Sequence, residues 1–395
     1  MNQTDACLKC TLCVSACPVY RNDGDFPGPK ALGPEWERRR AAGERVVMDH
    51  VDDCTFCQLC ELACPVGVPI AHLIAEQKDR ARSTRSAAVR LRDTILTHPE
   101  WVARAPRLSA TPAPLSRLMR LSTISRRPRP RSATGGLPRT VLESRGSVGL
   151  LVDCFDRGFD QETIAAARAL LTAWGFDVSL APKRSLCCGA AAYASGRVDQ
   201  AKQQAGAMHD ALSRDLPLGA VALVTLNATC DGTIDHEWHA YLGLEPLPIP
   251  VIPFDQFALD HAPKSFWEAI RAPEDPGGLS ATVWTHTTCR GRRRGDGALM
   301  ELAQHAGVGN IQPLLLECCG AAGSYAFKAE HDTTAHAMAN EATAQIGGRS
   351  GELWVDSGTC AIHLEQVAGV SARHPAHWLY RRWRHARMDL GKKIP

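Results

Sequence analysis

Sixteen cysteines fall into two repeated patterns with none left over. Cys7, Cys10, Cys13 and Cys17 form C-x-x-C-x-x-C-x-x-x-C followed by Pro18, and Cys54, Cys57, Cys60 and Cys64 repeat that spacing before Pro65. Three cysteines two residues apart can curl around one cubane [4Fe–4S] centre and leave its fourth ligand to come from elsewhere. Structural zinc pairs two C-x-x-C knuckles and has no use for a third cysteine at the same step. The other eight cysteines make a second repeat: Cys154, Cys187-Cys188-Gly189 and Cys230, mirrored by Cys289, Cys318-Cys319-Gly320 and Cys360. The chemistry implied is electron transfer through iron–sulfur centres.

In two-cluster ferredoxins the fourth cysteine of each run serves the other cluster. The expected ligand sets are therefore Cys7, Cys10, Cys13 and Cys64 for one [4Fe–4S] cluster, and Cys54, Cys57, Cys60 and Cys17 for the other. Residues 34–40 read as a helix with Pro34 in its first turn. Residues 70–92 are helix-rich, which makes residues 1–97 an α-helical dicluster ferredoxin domain. Phe56 and Leu62 are expected to line the cluster pocket.

From residue 149 short apolar runs alternate with longer amphipathic ones, the pattern of parallel α/β units. Strands are expected at 148–153, near 178 and at 220–226, then at 282–285, 311–316 and 353–355, with helices at 161–174 and 198–213. Every cysteine position follows such a strand, where open α/β sheets bind ligands. Adjacent cysteines in an extended chain point to opposite sides. To share one site the backbone must turn, and Gly189 and Gly320 permit the positive φ this requires. A vicinal disulfide would be strained and out of place in a reducing cytosol. Zinc held by the same four sulfurs stays open as the alternative for each repeat. The fold class expected is α+β multidomain: the ferredoxin domain, a linker at 98–146, and a pseudo-duplicated parallel-sheet α/β domain with repeats at 147–275 and 276–395.

A chain of 395 residues with 45% apolar content can bury more than one core. Its net charge is only +3, yet residues 80–145 hold fifteen arginines against Asp93, Glu100 and Glu143. This Pro- and Ser-rich stretch reads as a solvated connector, a docking segment for a partner subunit, or a segment drawn to anionic lipid. No aromatic interleaving or recognition motif accompanies the arginines, so nucleic acid is not an expected partner. The first thirty residues lack the charged and apolar regions of a signal peptide, and no apolar run approaches the ~20 residues of a membrane span. The location expected is the cytoplasm, with membrane contact only peripheral. Near the C-terminus Trp378, Leu379, Tyr380 and Trp383 interleave with arginines, a composition suited either to a bilayer interface or to a terminal helix packed on its own domain. Neither a G-x-G-x-x-G after a strand nor a G-x-x-x-x-G-K-[ST] occurs. Flavin, nicotinamide and nucleotide chemistry therefore belong to another polypeptide.

The cysteine runs, together with Phe26-Pro27-Gly28-Pro29-Lys30, His286-Thr287-Thr288-Cys289, the stretch Cys318 to Tyr325 and Ser357-Gly358-Thr359-Cys360, resemble the CCG (cysteine-rich) iron–sulfur electron-transfer subunits. That family includes the C subunits of anaerobic glycerol-3-phosphate dehydrogenase, which this chain resembles, the iron–sulfur subunits of glycolate and lactate oxidising systems, and the B subunit of heterodisulfide reductase. The resemblance spans almost the whole chain. It implies a membrane-associated subunit without substrate catalysis of its own, passing electrons from an FAD-containing dehydrogenase toward the quinone pool. It also implies two further iron–sulfur clusters, one held by Cys154, Cys187, Cys188 and Cys230 and one by Cys289, Cys318, Cys319 and Cys360. The family's fuller pattern ends each repeat in C-x-x-C, whereas this chain has Asn227 and Ser357 at the first of those positions. Heterodisulfide reductase uses five cysteines per repeat for non-cubane clusters. Four apiece favour ordinary cubanes and weigh against disulfide reduction, the rival enzymatic reading. A third reading makes the repeats a zinc-stabilised docking module.

Three further positions bear on the site. His286 is an ordinary loop histidine, a hydrogen-bond donor to a cluster sulfur, or a replacement ligand. Arg290, where relatives often have histidine, either puts positive charge beside a cluster or belongs to an exposed basic run. His236 and His239 could share a helix face, but no carboxylate at zincin spacing accompanies them.

Overall fold

The computed structural model describes residues 6–46, 48–104, 121, 144–271, 282–295 and 297–392. Among them are two four-stranded, all-parallel sheets. In the first, β1 (Ser147–Leu151), β2 (Asp177–Ala181), β3 (Leu223–Thr225) and β4 (Val251–Pro253) lie in the order β2-β1-β3-β4. The second repeats it: β5 (Thr282–His286), β6 (Ile311–Pro313), β7 (Gly351–Val355) and β8 (Ser371–Arg373) in the order β6-β5-β7-β8. In each sheet the chain leaves the first strand to one side and returns to its other side, which creates a switch point where open α/β sheets bind ligands. The expected strands and helices are present, with shorter strands at β3 and β6 than the apolar runs suggest.

The two sheets share one core. Val148, Leu150, Trp174, Phe254 and Phe257 of the first repeat pack with Val283, Leu302 and Trp354 of the second. The helix Pro375–Lys392 closes this core with Trp378, Leu379 and Trp383, all buried, and Arg382 donates to the Ile270 carbonyl at 3.1 Å. The terminal aromatic residues thus pack on their own domain, which overturns the bilayer-interface reading for them. No helix among the described residues is long and apolar enough to cross a membrane.

The N-terminal unit is helical, built around Ile70–Ala81 and Ala87–Thr97. Pro34 does not open a helix. It sits inside a π turn, Ala31–Glu35, that runs into the α-helix Trp36–Ala41. Proline lacks an N–H and clashes with the preceding turn of a regular helix, so the wider π turn is a conformation that accommodates it. Beside it Gly33 lies so near Ile70 that a Cβ would come within 2.9 Å, and the two segments pack closely as a result.

This unit is wedged against both repeats. Lys78, itself buried, donates to the carbonyls of Cys54 at 2.7 Å and Ala194 at 3.0 Å. Arg92 is fully buried and makes a two-pronged pair with Glu330 at 2.8 and 2.7 Å. Of the connector, residues 105–120 and 122–143 lie outside the described residues, and with them most of its basic run. Its first turn is the helix Pro99–Arg104, whose Val102 packs on Phe155 and Phe159 of the first repeat. Replacing Trp354 by alanine should cost about 3–5 kcal/mol, the usual range for emptying a buried aromatic site. Chemical denaturation of the two forms checks this, and a loss under about 1 kcal/mol would show that the joint core is not the mainstay of the fold.

Candidate iron–sulfur sites

All sixteen cysteines are free thiols. The two N-terminal runs adopt the same curl. Lys9 and Thr11 in the first, and Phe56 and Gln58 in the second, occupy matching positions and all have φ between 58° and 67°. Left-handed backbone at four non-glycine residues is costly, and its recurrence at equivalent steps marks a constraint on where the sulfurs point. The backbone N–H groups of Phe56 and Val68 donate to the sulfurs of Cys54 and Cys64, both at 3.4 Å.

The thiols gather into four groups. Cys13 feels the charges of Cys7, Cys64 and Cys10, so the last cysteine of the second run lies with the first three of the first. Cys17 in turn feels Cys57 and Cys54, and Cys60 feels Cys57, Cys54 and Cys17. The first group is the outer one: Cys10 is exposed and Cys7, Cys13 and Cys64 are half-buried. In the repeats, Cys154 bonds Cys187, Cys187 bonds Cys188, and Cys188 donates to Cys230 at 3.3 Å. Cys289, Cys318, Cys319 and Cys360 form the same chain of contacts.

Strand geometry explains this convergence. Cys154 and Cys289 lie three residues past β1 and β5, while Cys230 and Cys360 sit five residues past β3 and β7. These paired strands flank the switch points. The adjacent cysteines reach the same place through Gly189 and Gly320, whose φ values are 95° and 78°. A Cβ at these glycines would lie 2.8 Å from the Ala201 carbonyl oxygen and 2.5 Å from that of Ala335, so both conformation and space demand glycine. Their N–H groups donate to Cys187 and Cys318, both at 3.4 Å.

The donor set suits iron. Burial, then the neighbouring thiol of Cys289, pushes Cys57 up to about 12. Cys230 and Cys289 are pushed well above the usual thiol range by hydrogen bonds to Cys188 and Cys318 and by burial. Ionised sulfurs this crowded repel one another, and a cationic centre among them reverses that balance. Among the described residues, no three His, Cys, Asp or Glu groups are placed to hold a single metal ion.

Several surrounding residues differ from expectation. Phe56 is buried, meets Tyr193 edge-on at 5.2 Å and belongs to the same apolar cluster as Cys188 and Cys230 of the first repeat. Leu62 is 43% exposed. His286 is not on a loop. It ends β5, is 1% exposed, and neither ring nitrogen has a partner among the described residues; burial, then Arg292, lowers it to about 3. His363, one turn beyond Cys360, is likewise buried, and burial, then His336, lowers it to about 4. Arg290 is buried, so the exposed-run reading fails for it. His239 is exposed, while His236 lies edge-on to Tyr241. Asn227 and Ser357 meet across the repeats, the Ser357 hydroxyl donating to Asn227 Oδ1 at 3.0 Å. Next to them is a cavity of about 290 Å³ between the repeats, lined by Asp231, Asp255, Arg294 and Asp356 among others.

Comparison with known proteins agrees with this layout. Residues 3–68 match the model of the 4Fe-4S dicluster domain, and residues 148–235 and 283–365 each match that of the cysteine-rich (CCG) domain. The chain carries a 4Fe-4S dicluster domain and two cysteine-rich domains. It is 28% identical over 402 residues to the C subunit of the anaerobic glycerol-3-phosphate dehydrogenase of Escherichia coli (strain K12), covering 95% of this chain and 98% of that one. The C subunit from Escherichia coli O157:H7 gives the same identity and coverage.

Substituting alanine for Gly320 should remove about 4 Fe per chain, the content of one cubane, and leave the rest in place. Iron and acid-labile sulfide per chain check this. Full retention would mean that the turn is not needed to assemble the second-repeat site.

Proposed function

We propose that this chain is the iron–sulfur electron-transfer subunit of a flavin-dependent dehydrogenase that oxidises glycerol 3-phosphate or a 2-hydroxyacid, and that it delivers electrons to the quinone pool at a membrane surface. Cys7, Cys10, Cys13 and Cys64 hold one cubane, and Cys54, Cys57, Cys60 and Cys17 the second. Cys154, Cys187, Cys188 and Cys230 hold a third centre, and Cys289, Cys318, Cys319 and Cys360 a fourth. Such centres, when bound, take up and release single electrons at potentials set by burial and hydrogen bonding. The proposed division is 1–97, 98–146, 147–275 and 276–395.

The observation that carries this reading is the contiguity of the thiol groups. Cys57 of the second N-terminal group acts electrostatically on Cys289 and Cys318 of the second repeat. Through Phe56, edge-on to Tyr193 at 5.2 Å, the same loop joins the apolar cluster that holds Cys188 and Cys230 of the first repeat. The inner N-terminal group therefore borders both repeats, and the outer group, with Cys10 exposed, is the point of exchange with a partner. Likeness to a dehydrogenase subunit along 95% of the chain supports the partner.

Anaerobically purified protein should contain about 16 Fe with matching sulfide per chain, the sum for four cubanes. The reduced chain should be reoxidised by a quinone and the oxidised chain reduced by its flavoprotein. About 8 Fe with bound zinc would confine redox work to the N-terminal unit. A fully metallated chain that exchanges electrons with neither partner would end the proposal.

A further inference from the structure

Arg290 follows Cys289 in the second repeat, yet its side chain reaches into the first. Its Nη2 donates to Thr233 Oγ1 at 2.9 Å and pairs with Glu237. Gly232, two residues beyond Cys230, presents its backbone to the guanidinium; a Cβ there would lie 3.6 Å from Arg290 Nε. The helix Ala228–Gly232 passes into a π turn, Thr233–Glu237, and this wider turn carries Glu237 inward to full burial. Glu237 is held in turn by Thr233 at 2.9 Å and by Gln58 of the N-terminal unit. One guanidinium is thus fixed where all three parts of the molecule meet.

Two of its donors are unused. Arg290 is only 8% exposed, and both Nε and Nη1 lack a hydrogen-bond partner among the described residues. A buried donor left without an acceptor loses its hydration for nothing in return, at a cost of about 1–3 kcal/mol and more for a charged group. Such groups are kept where something absent from the polypeptide accepts from them. The thiols on either side point to that acceptor, since Arg290, after Glu237, feels Cys289 of its own repeat and Cys188 of the other.

We propose that Arg290 is a shared electrostatic clamp for the two cysteine-rich sites, its free N–H groups facing the sulfur-rich anionic centres on both sides and making both easier to reduce. This rests on the reading that both repeats hold redox-active clusters. A cation between two anionic centres stabilises each of them when it gains an electron, and hydrogen bonds to cluster sulfur act in the same direction. Glu237 opposes the effect, because its carboxylate neutralises part of the guanidinium charge. The two residues therefore set the potentials of both sites together, with opposite sign.

The test is a potentiometric titration of the full-length, anaerobically purified chain followed by electron paramagnetic resonance, with iron counted in every sample. In Arg290→Met, two of the four couples should move to lower potential by tenfold or more in the reduction equilibrium, about 59 mV per tenfold for one electron. The other two should stay in place. Arg290→Lys should recover part of the shift because it keeps the charge, and Glu237→Gln should move the same two couples upward. The opposite signs separate the clamp from a general loosening of the fold. Should Arg290→Met fail to retain iron, Arg290→Lys and Glu237→Gln decide the matter alone. At full iron content, no shift, a shift of one couple only, or equal shifts of all four would overturn the clamp and leave the four-cluster reading standing. Wild-type protein with about 8 Fe and bound zinc would overturn both.

Discussion

Crowded thiolates repel one another, and this chain collects sixteen thiols into four groups, most of them away from water. Almost every unusual local feature answers that repulsion. The left-handed Phe56 aims its backbone N–H at the Cys54 sulfur in the second N-terminal curl, and the glycines after the adjacent cysteines do the same in the repeats. Two buried cations stand at the same places, Lys78 acting on Cys54 and Arg290 on Cys289. Each device is weak beside the cost of several buried charges, so the polypeptide prepares these sites without being able to charge them by itself.

The second constraint is adjacency. Electron exchange between separate sites needs short gaps, and the N-terminal unit closes them by inserting one loop, residues 54–58, at the seam of the duplicated domain. Phe56 turns toward the first repeat, Cys57 toward the second, and Gln58 bonds Glu237 between them. Arg293 adds a contact to Gln58 at 3.1 Å. Three successive side chains thus contact the first repeat, the second repeat and the buried ion pair that joins them.

Much of this is legible in the cysteine spacing, because ligand steps of two and three residues are local and their register survives in the chain. The parallel units are legible too, since each cysteine follows an apolar run, and Gly189 and Gly320 announce their turns. What escapes is set by distance. Arg290 reads as part of a basic run until Glu237, fifty-three positions earlier in the other repeat, is seen beside it. His286 reads as a loop residue because the strand β5 extends one residue beyond its apolar run. Leu62 resembles lining only because it neighbours Cys60 and Cys64, while the helix Leu59–Leu62 turns it to solvent. Pro34 misleads because a π turn has no simple sequence signal.

The steep gradient of burial has a consequence for durability. Oxygen, peroxide and chelators approach from solvent, and of the sixteen thiols Cys10 alone is exposed. Damage therefore has a preferred point of entry, and the group around Cys10 is the first to be struck. The inner sites lie behind it and behind the packed seam of the repeats. A molecule arranged in this way ages from one end, losing its link to the outside while its interior is still whole.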